Sequence, residues 1–302
     1  MFWGRKMLVK DQQESLKNLL LMPIKVDKLA QSIQREKDII ISPQSYKGIG
    51  DPDMSDLSVT FYEIVYRDIL PANHLLGTGE NDSFKNSFAD PSFAGDTMNS
   101  FNTIAGKLIR FLKIGGVPMS SCYYMPDDSA GRLRLILASD VSKETKDIFK
   151  KFYALYHSLA NFWVIPLAMG RTSPKKVFIG ENWLSTQDYM WKFLTYLKEN
   201  WTDLQQQSCL GKFKDSLKQQ QAYFNKFEHY QRFVKEHCID ESIYKAATKD
   251  KTSNRGALDE KQTIEAVKDM IAAIEKRAEL LSKSRYNEEL WHLLSRLIHE
   301  ND

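Results

Sequence analysis

Helix breakers are scarce in this chain. Its 302 residues include 14 glycines and 9 prolines, a poor supply for a fold of many tight turns and a good one for long helices. Cysteine is scarcer still. Cys122, Cys209 and Cys238 are odd in number, and no two stand at the short spacing of zinc ligands. A disulfide framework and a metal site are both disfavoured, and reduced thiols are the simpler expectation. The longest apolar run, residues 162–169, is interrupted by Pro166 and falls well short of the roughly 20 residues of a membrane span. Arg5, Lys6, Lys10 and Asp11 break any secretory apolar core near the N-terminus. A cytoplasmic protein without membrane contact is therefore expected. Charge bias is weak too. A net charge of +3 is small for a dedicated nucleic-acid binder, so that partner is left to a local patch and is not favoured.

What is present fits a packed helical protein. The hydrophobic fraction is 42% and aromatic residues make up 12%, enough large rings to fill a core and argue against disorder. Apolar residues at helical spacing predict helices near residues 12–22, 26–33, 53–70 and 99–112. A strongly amphipathic helix is expected from Ser142, with Ile148, Phe152, Leu155 and Leu159 in one stripe, running to the Pro166 segment. Further helices are expected near 185–200, 210–237, 240–248, 259–283 and 287–300. Residues 39–52 and 73–96 read as loops, the second long enough to suggest function. One β signal stands out. CYYM, a PDDSAG turn and RLRLILAS predict a hairpin near 122–139, from the alternation of Leu133, Leu135 and Leu137.

The expected fold is thus mainly α, a multi-helix globular domain with one small β hairpin. Residues 1–248 would form the helical core domain and 257–302 a C-terminal helical pair packed on it, with KDKTSNRG as the linker.

Several pieces in order resemble a bacterial family of domains of unknown function. SPQSYKGIGDPDMSDLSVTFYEIVYRDILP is similar to its Asp-Pro-Asp to Leu-Pro opening. LILASDVS, FYALYHSLANFWVIPLAMGR, TQDYMWKFLTYLKENW and MIAAIEKRAELLSKSR are similar to its later strand, apolar-Pro helix end, Asp-containing helix and closing helix. The family's Arg-Gly or Asp-Arg pair before the Asp-containing helix has no equivalent in residues 176–188. The resemblance implies a bacterial source and supplies no activity.

Four groups of residues could carry chemistry. His157 and Asn161 would share a helix face with Tyr153, and Trp163 and Arg171 follow closely. With Asn102 or Asp188 brought near, they could bind an anion or move a proton. The plainer reading is a core-boundary histidine bonded to Asn161. A second group is Arg232 and His237, spaced like the Arg and His of the helical ribonucleases of the HEPN kind, with Arg67 and His74 as another match. Such matches arise by chance at this composition. A third is the basic and aromatic stretch of residues 211–235, whose Phe213, Leu217, Phe224, Phe227 and Val234 read more simply as a core stripe. Last, Asp51, Asp53 and Asp56, and Asp127 with Asp128, fall at caps and turns and have no histidine at ligand spacing.

No phosphate loop is supported at Gly77-x-Gly79 or Gly115-Gly116, so no cofactor is expected. The favoured function is a non-enzymatic binding or regulatory module for a protein partner or small ligand, a homodimer being left open. The alternative is an effector acting on nucleic acid or nucleotides, a HEPN-like ribonuclease or a related toxin or defence enzyme.

Overall fold

A computed structural model describes residues 8–24, 52–69, 93–113, 129–166, 190–206, 224–245 and 257–299. Among these residues the fold is mainly α, with ten α-helices and one pair of antiparallel strands. The expected helix at 26–33, the loop at 39–51, most of the loop at 73–96, the CYYM segment and the KDKTSNRG linker lie outside them.

Helix α1 (Lys10–Leu20) buries Leu16, Leu19 and Leu20, as the spacing predicts. A 3-10 turn (Pro52–Met54) leads into α2 (Asp56–Val65), whose N-terminus is capped by the Ser55 side chain. Strand β1 (Phe93–Thr97) precedes α3 (Phe101–Leu112), capped by Ser100. Then follow α4 (Ser129–Ala138), α5 (Lys143–Tyr156), a 3-10 turn (Leu159–Asn161) and β2 (Phe162–Pro166). Helices α6 (Met190–Glu199), α7 (Trp201–Gln206) and α8 (Tyr230–Glu236) come next, with a 3-10 turn at Glu241–Ile243. The chain closes with α9 (Glu260–Ser282) and α10 (Asn287–His299).

Helix α9 is the axis of the core. Asp259 and Gln262 form a capping box at its start. Thr263, Ala266, Val267, Met270, Ile271, Ile274, Ala278 and Leu281 form its buried face, the three-and-four spacing of an amphipathic helix. That face packs on α5, α1 and α3, while α10 packs on α1 and α2. The first turns of α9 and α5 are tied together, because the Glu260 carboxylate accepts from the Ser142 amide and the Thr145 hydroxyl. These bonds hold the Glu260 carboxyl below its usual range.

The strands are not where the sequence placed them. Residues 129–138 of the expected hairpin form α4. Leu and Arg are good helix formers, and Ile136 is the one β-branched residue in SAGRLRLILA. The alternation of leucines there was no strand period. Instead β1 pairs with β2, in register from Phe93↔Pro166 to Thr97↔Phe162. The end of the expected 73–96 loop is therefore strand. FAGDT has little strand propensity of its own. It pairs because Gly95 lets the strand lie against α2: a Cβ there would come 2.6 Å from the Tyr62 hydroxyl. That hydroxyl donates to the Asp53 carbonyl at 2.8 Å.

Three expected helices depart from their expected course. The α5 helix stops at Tyr156, so Leu159 to Pro166 is a 3-10 turn and a strand. The expected 210–237 helix is broken by turns and bends at residues 225–229, after which Tyr230–Glu236 is helical; residues 210–223 lie outside the described residues. Of the expected 240–248 helix, the described residues 240–245 hold a 3-10 turn at Glu241–Ile243, preceded by Cys238 at φ 54°.

Candidate functional site

A polar centre in the core is built on Arg277, which stands on the apolar stripe of α9 and is 2% exposed. Its Nε donates to the His237 carbonyl at 2.9 Å. One terminal nitrogen donates to the carbonyls of Leu159, Ala160 and Phe162, at 3.3, 2.9 and 2.6 Å. The other donates to the Tyr66 hydroxyl at 3.0 Å. Among the described residues no carboxylate pairs with it. A guanidinium presents five N–H groups in a fixed fork. Here they are aimed at main chain, so Arg277 fastens the turn before β2, the end of α8 and the end of α2 to one point on α9.

His237 completes this centre. It ends α8, is fully buried, and its Nδ1 donates to the Phe233 carbonyl at 2.8 Å. The ring packs against Phe233, Phe227, Tyr66 and Trp163. Burial and the nearby Arg277 charge push its pKa from 6.5 down to about 3, against the opposing bonds to the main chain of Phe233 and Val164. The ring is therefore neutral. Burial raises the Tyr66 phenol to about 12.

Asn161 is the second buried hub. Its Nδ2 donates to the Tyr156 carbonyl at 2.8 Å and the Asn99 carbonyl at 3.0 Å. Its Oδ1 accepts from the Asn99 amide at 3.0 Å and the Asn99 side chain at 3.3 Å. The Tyr244 hydroxyl donates to Asn99 Oδ1 at 3.0 Å. All of the Asn161 side-chain hydrogen-bonding capacity is spent on stopping α5 and anchoring the segment between β1 and α3.

The helix face expected to carry the first predicted site does not form. His157 and Asn161 do not share a helix, because His157 is the C-cap of α5 and Asn161 lies in the following 3-10 turn. His157 is half-buried and stacks on Tyr156 with ring centres 4.1 Å apart. Its carbonyl accepts from the Ile24 amide at 2.8 Å. Tyr153 packs edge-on against Phe101, at 5.4 Å. Trp163 is fully buried among Phe193, Phe233 and His237. Asn102 is on α3, where its carbonyl accepts from Arg132. Arg171 and Asp188 lie outside the described residues. In the second predicted site Arg232 and His237 diverge: Arg232 pairs with Glu228 at 2.7 Å on the surface, while His237 faces the core. His74 lies outside the described residues. Phe224 and Phe227 are buried, as the core-stripe reading of the basic stretch expects.

A different place is open to a ligand. An open groove of about 550 Å³ runs between α2 and α10, lined by Thr60, Ile64, Glu288, Glu289, His292 and Leu293. Ile64 and Leu293 are partly buried apolar side chains packed on the core, and they give it an apolar floor. Glu288 and Glu289 stand in the first turn of α10, where the helix dipole favours negative charge. At one end of the groove is a charged cluster. Arg67 pairs with Glu289, and Arg285 pairs with Asp68 at 2.7 Å and Glu236 at 3.4 Å. Both guanidinium groups lie over the Tyr286 ring, that of Arg67 at 5.6 Å and that of Arg285 at 4.8 Å from its centre.

No family model, curated protein or solved structure matches the chain. No helix of the described residues is long and apolar enough to cross a membrane, and no group of three or more metal-ligating side chains occurs among them.

Sequence reasoning passed over both Arg277 and the groove. For Arg277 a signal existed. In MIAAIEKRAELL the arginine falls in register with Met270, Ile274, Ala278 and Leu281, where a charge is out of place. For the groove there was none, because it joins residues more than 200 positions apart.

Proposed function

We propose that the chain is a helical binding module that receives an amphipathic, basic helix of a protein partner in the groove between α2 and α10. The observation that carries this reading is the groove itself, with Ile64 and Leu293 as floor and Glu288 and Glu289 as rim. An apolar stripe on the incoming helix would cover the floor, and its flanking lysines or arginines would meet the carboxylates. Helix α10 has 13 residues and is therefore about 20 Å long, which suits a helix of about four turns. The same proposal places the protein in the cytoplasm, on the odd count of cysteines and their spacing.

The buried centre supports binding over catalysis by what its groups already do. Arg277 and Asn161 hold main chain, and His237 is neutral with a bonded Nδ1. A general acid or base must reach a substrate proton, and His237 is sealed among rings.

The test is titration of the full chain into a fluorescent Leu/Ala/Lys helical peptide of about 14 residues, followed by anisotropy. A Leu/Ala/Glu peptide and a single-stranded RNA serve as controls. Saturable binding of the basic peptide alone, lost in Ile64→Ser and weakened in Glu288→Gln, is the expected result. Equal binding of the acidic peptide, or RNA binding unaffected by Ile64→Ser, contradicts it.

A further inference from the structure

The groove's acidic rim already holds a cation. Arg67 follows α2 directly, its Nε donates to the Ile64 carbonyl at 3.2 Å, and its guanidinium pairs with Glu289. Ile64 and Glu289 both line the groove. The chain thus places one of its own arginines where a basic partner would place one.

We infer that Arg67 is an internal competitor for the groove, occupying Glu289 until a partner's cation displaces it; this rests on the binding reading above. Three observations make the exchange feasible. The pair is a surface pair, with side chains 40% and 43% exposed, and such pairs hold weakly. A displaced Arg67 is not stranded, because its guanidinium already faces the Tyr286 ring. Glu288 beside it has no ion pair among the described residues, so a partner's first cation can land there before the exchange. A partner with two cations one helical turn apart would engage both carboxylates and release Arg67. A partner with one would meet Glu288 alone and bind more weakly.

The experiment uses the same Leu/Ala/Lys peptide with wild type, Arg67→Met, Glu289→Gln and the double variant. Arg67→Met keeps an apolar stem near the Tyr286 ring, and circular dichroism checks that each variant retains its helix content. Arg67→Met is expected to tighten peptide binding roughly two- to fivefold, the scale of one surface ion pair. The gain should vanish when Glu289→Gln is added, since Arg67 acts through that carboxylate. Unchanged or weaker binding by Arg67→Met, with wild type binding normally, overturns the competitor and leaves the groove reading standing. A gain that persists in the double variant also overturns it. Absence of binding by wild type and Arg67→Met alike sinks the groove reading, and the competitor with it.

Discussion

Arg277 and the Arg67–Arg285 pair use the same side chain in two ways. Arg277 is buried and bonds four carbonyls and one phenol. Arg67 and Arg285 are 40% and 48% exposed and bond carboxylates. A buried guanidinium cannot return to water, so each of its bonds must persist. An exposed one trades protein partners for solvent at small cost. On the proposed function, the difference separates architecture from recognition. The centre around Arg277 joins distant segments, and in the proposed binding reading the rim around Arg67 exchanges partners.

The comparison breaks first at Arg277. Arg277→Met should lower stability by about 3–5 kcal/mol, because it removes a buried donor from the carbonyls of residues 160, 162 and 237, while the Leu159 carbonyl keeps the Phe162 amide. Urea unfolding measures this, and Arg277→Lys should recover only part of the loss, having fewer donors and no fork. Asn161→Leu comes next, at roughly 2–3 kcal/mol, from the unmet Tyr156 and Asn99 carbonyls.

A pH series sharpens the contrast. The His237 ring stays neutral in the folded protein down to about pH 3. In the unfolded chain it takes up a proton below about 6.5. The unfolded state therefore binds more protons between these values, and stability falls as pH falls through that window, by about 1.4 kcal/mol per pH unit. His237→Phe should remove this part of the slope, seen as a smaller difference between unfolding midpoints at pH 6 and pH 4.5 than in wild type. The smallest effect belongs to the surface. Arg285→Ala should cost about 0.5–1 kcal/mol, and less at high salt. A loss as large as that of Arg277→Met would erase the distinction between the two regions.

Local signals made much of the helical frame legible. Ser142 caps the helix it was expected to start, and Ser55, Ser100 and the Asp259–Gln262 box cap the helices expected near 53–70, 99–112 and 259–283, since a cap acts within one turn of its own sequence. The stripes of α1, α5 and α9 are local in the same sense. The strands were not legible. β1 carries Gly and Asp and exists only because β2 lies beside it, nearly seventy residues on. RLRLILA shows the reverse error: in the helix Leu133 and Leu137 share a face and Leu135 lies on the other side, so the alternation by twos carried no strand information. His157 and Asn161 were separated by a helix end that Asn161 itself makes, by bonding the Tyr156 carbonyl. The groove depends on α2 and α10 meeting, which no local pattern encodes.

The central claim is that partners meet the α2–α10 surface while the polar centre only holds the fold together. Hydrogen exchange of the full chain, with and without the Leu/Ala/Lys peptide, tests it most directly. The account predicts slowed exchange confined to Asp56–Val65 and Asn287–His299, with the amides around His157 and His237 unchanged. Protection centred on His157 or on the end of α8, with none on α2 or α10, would contradict it.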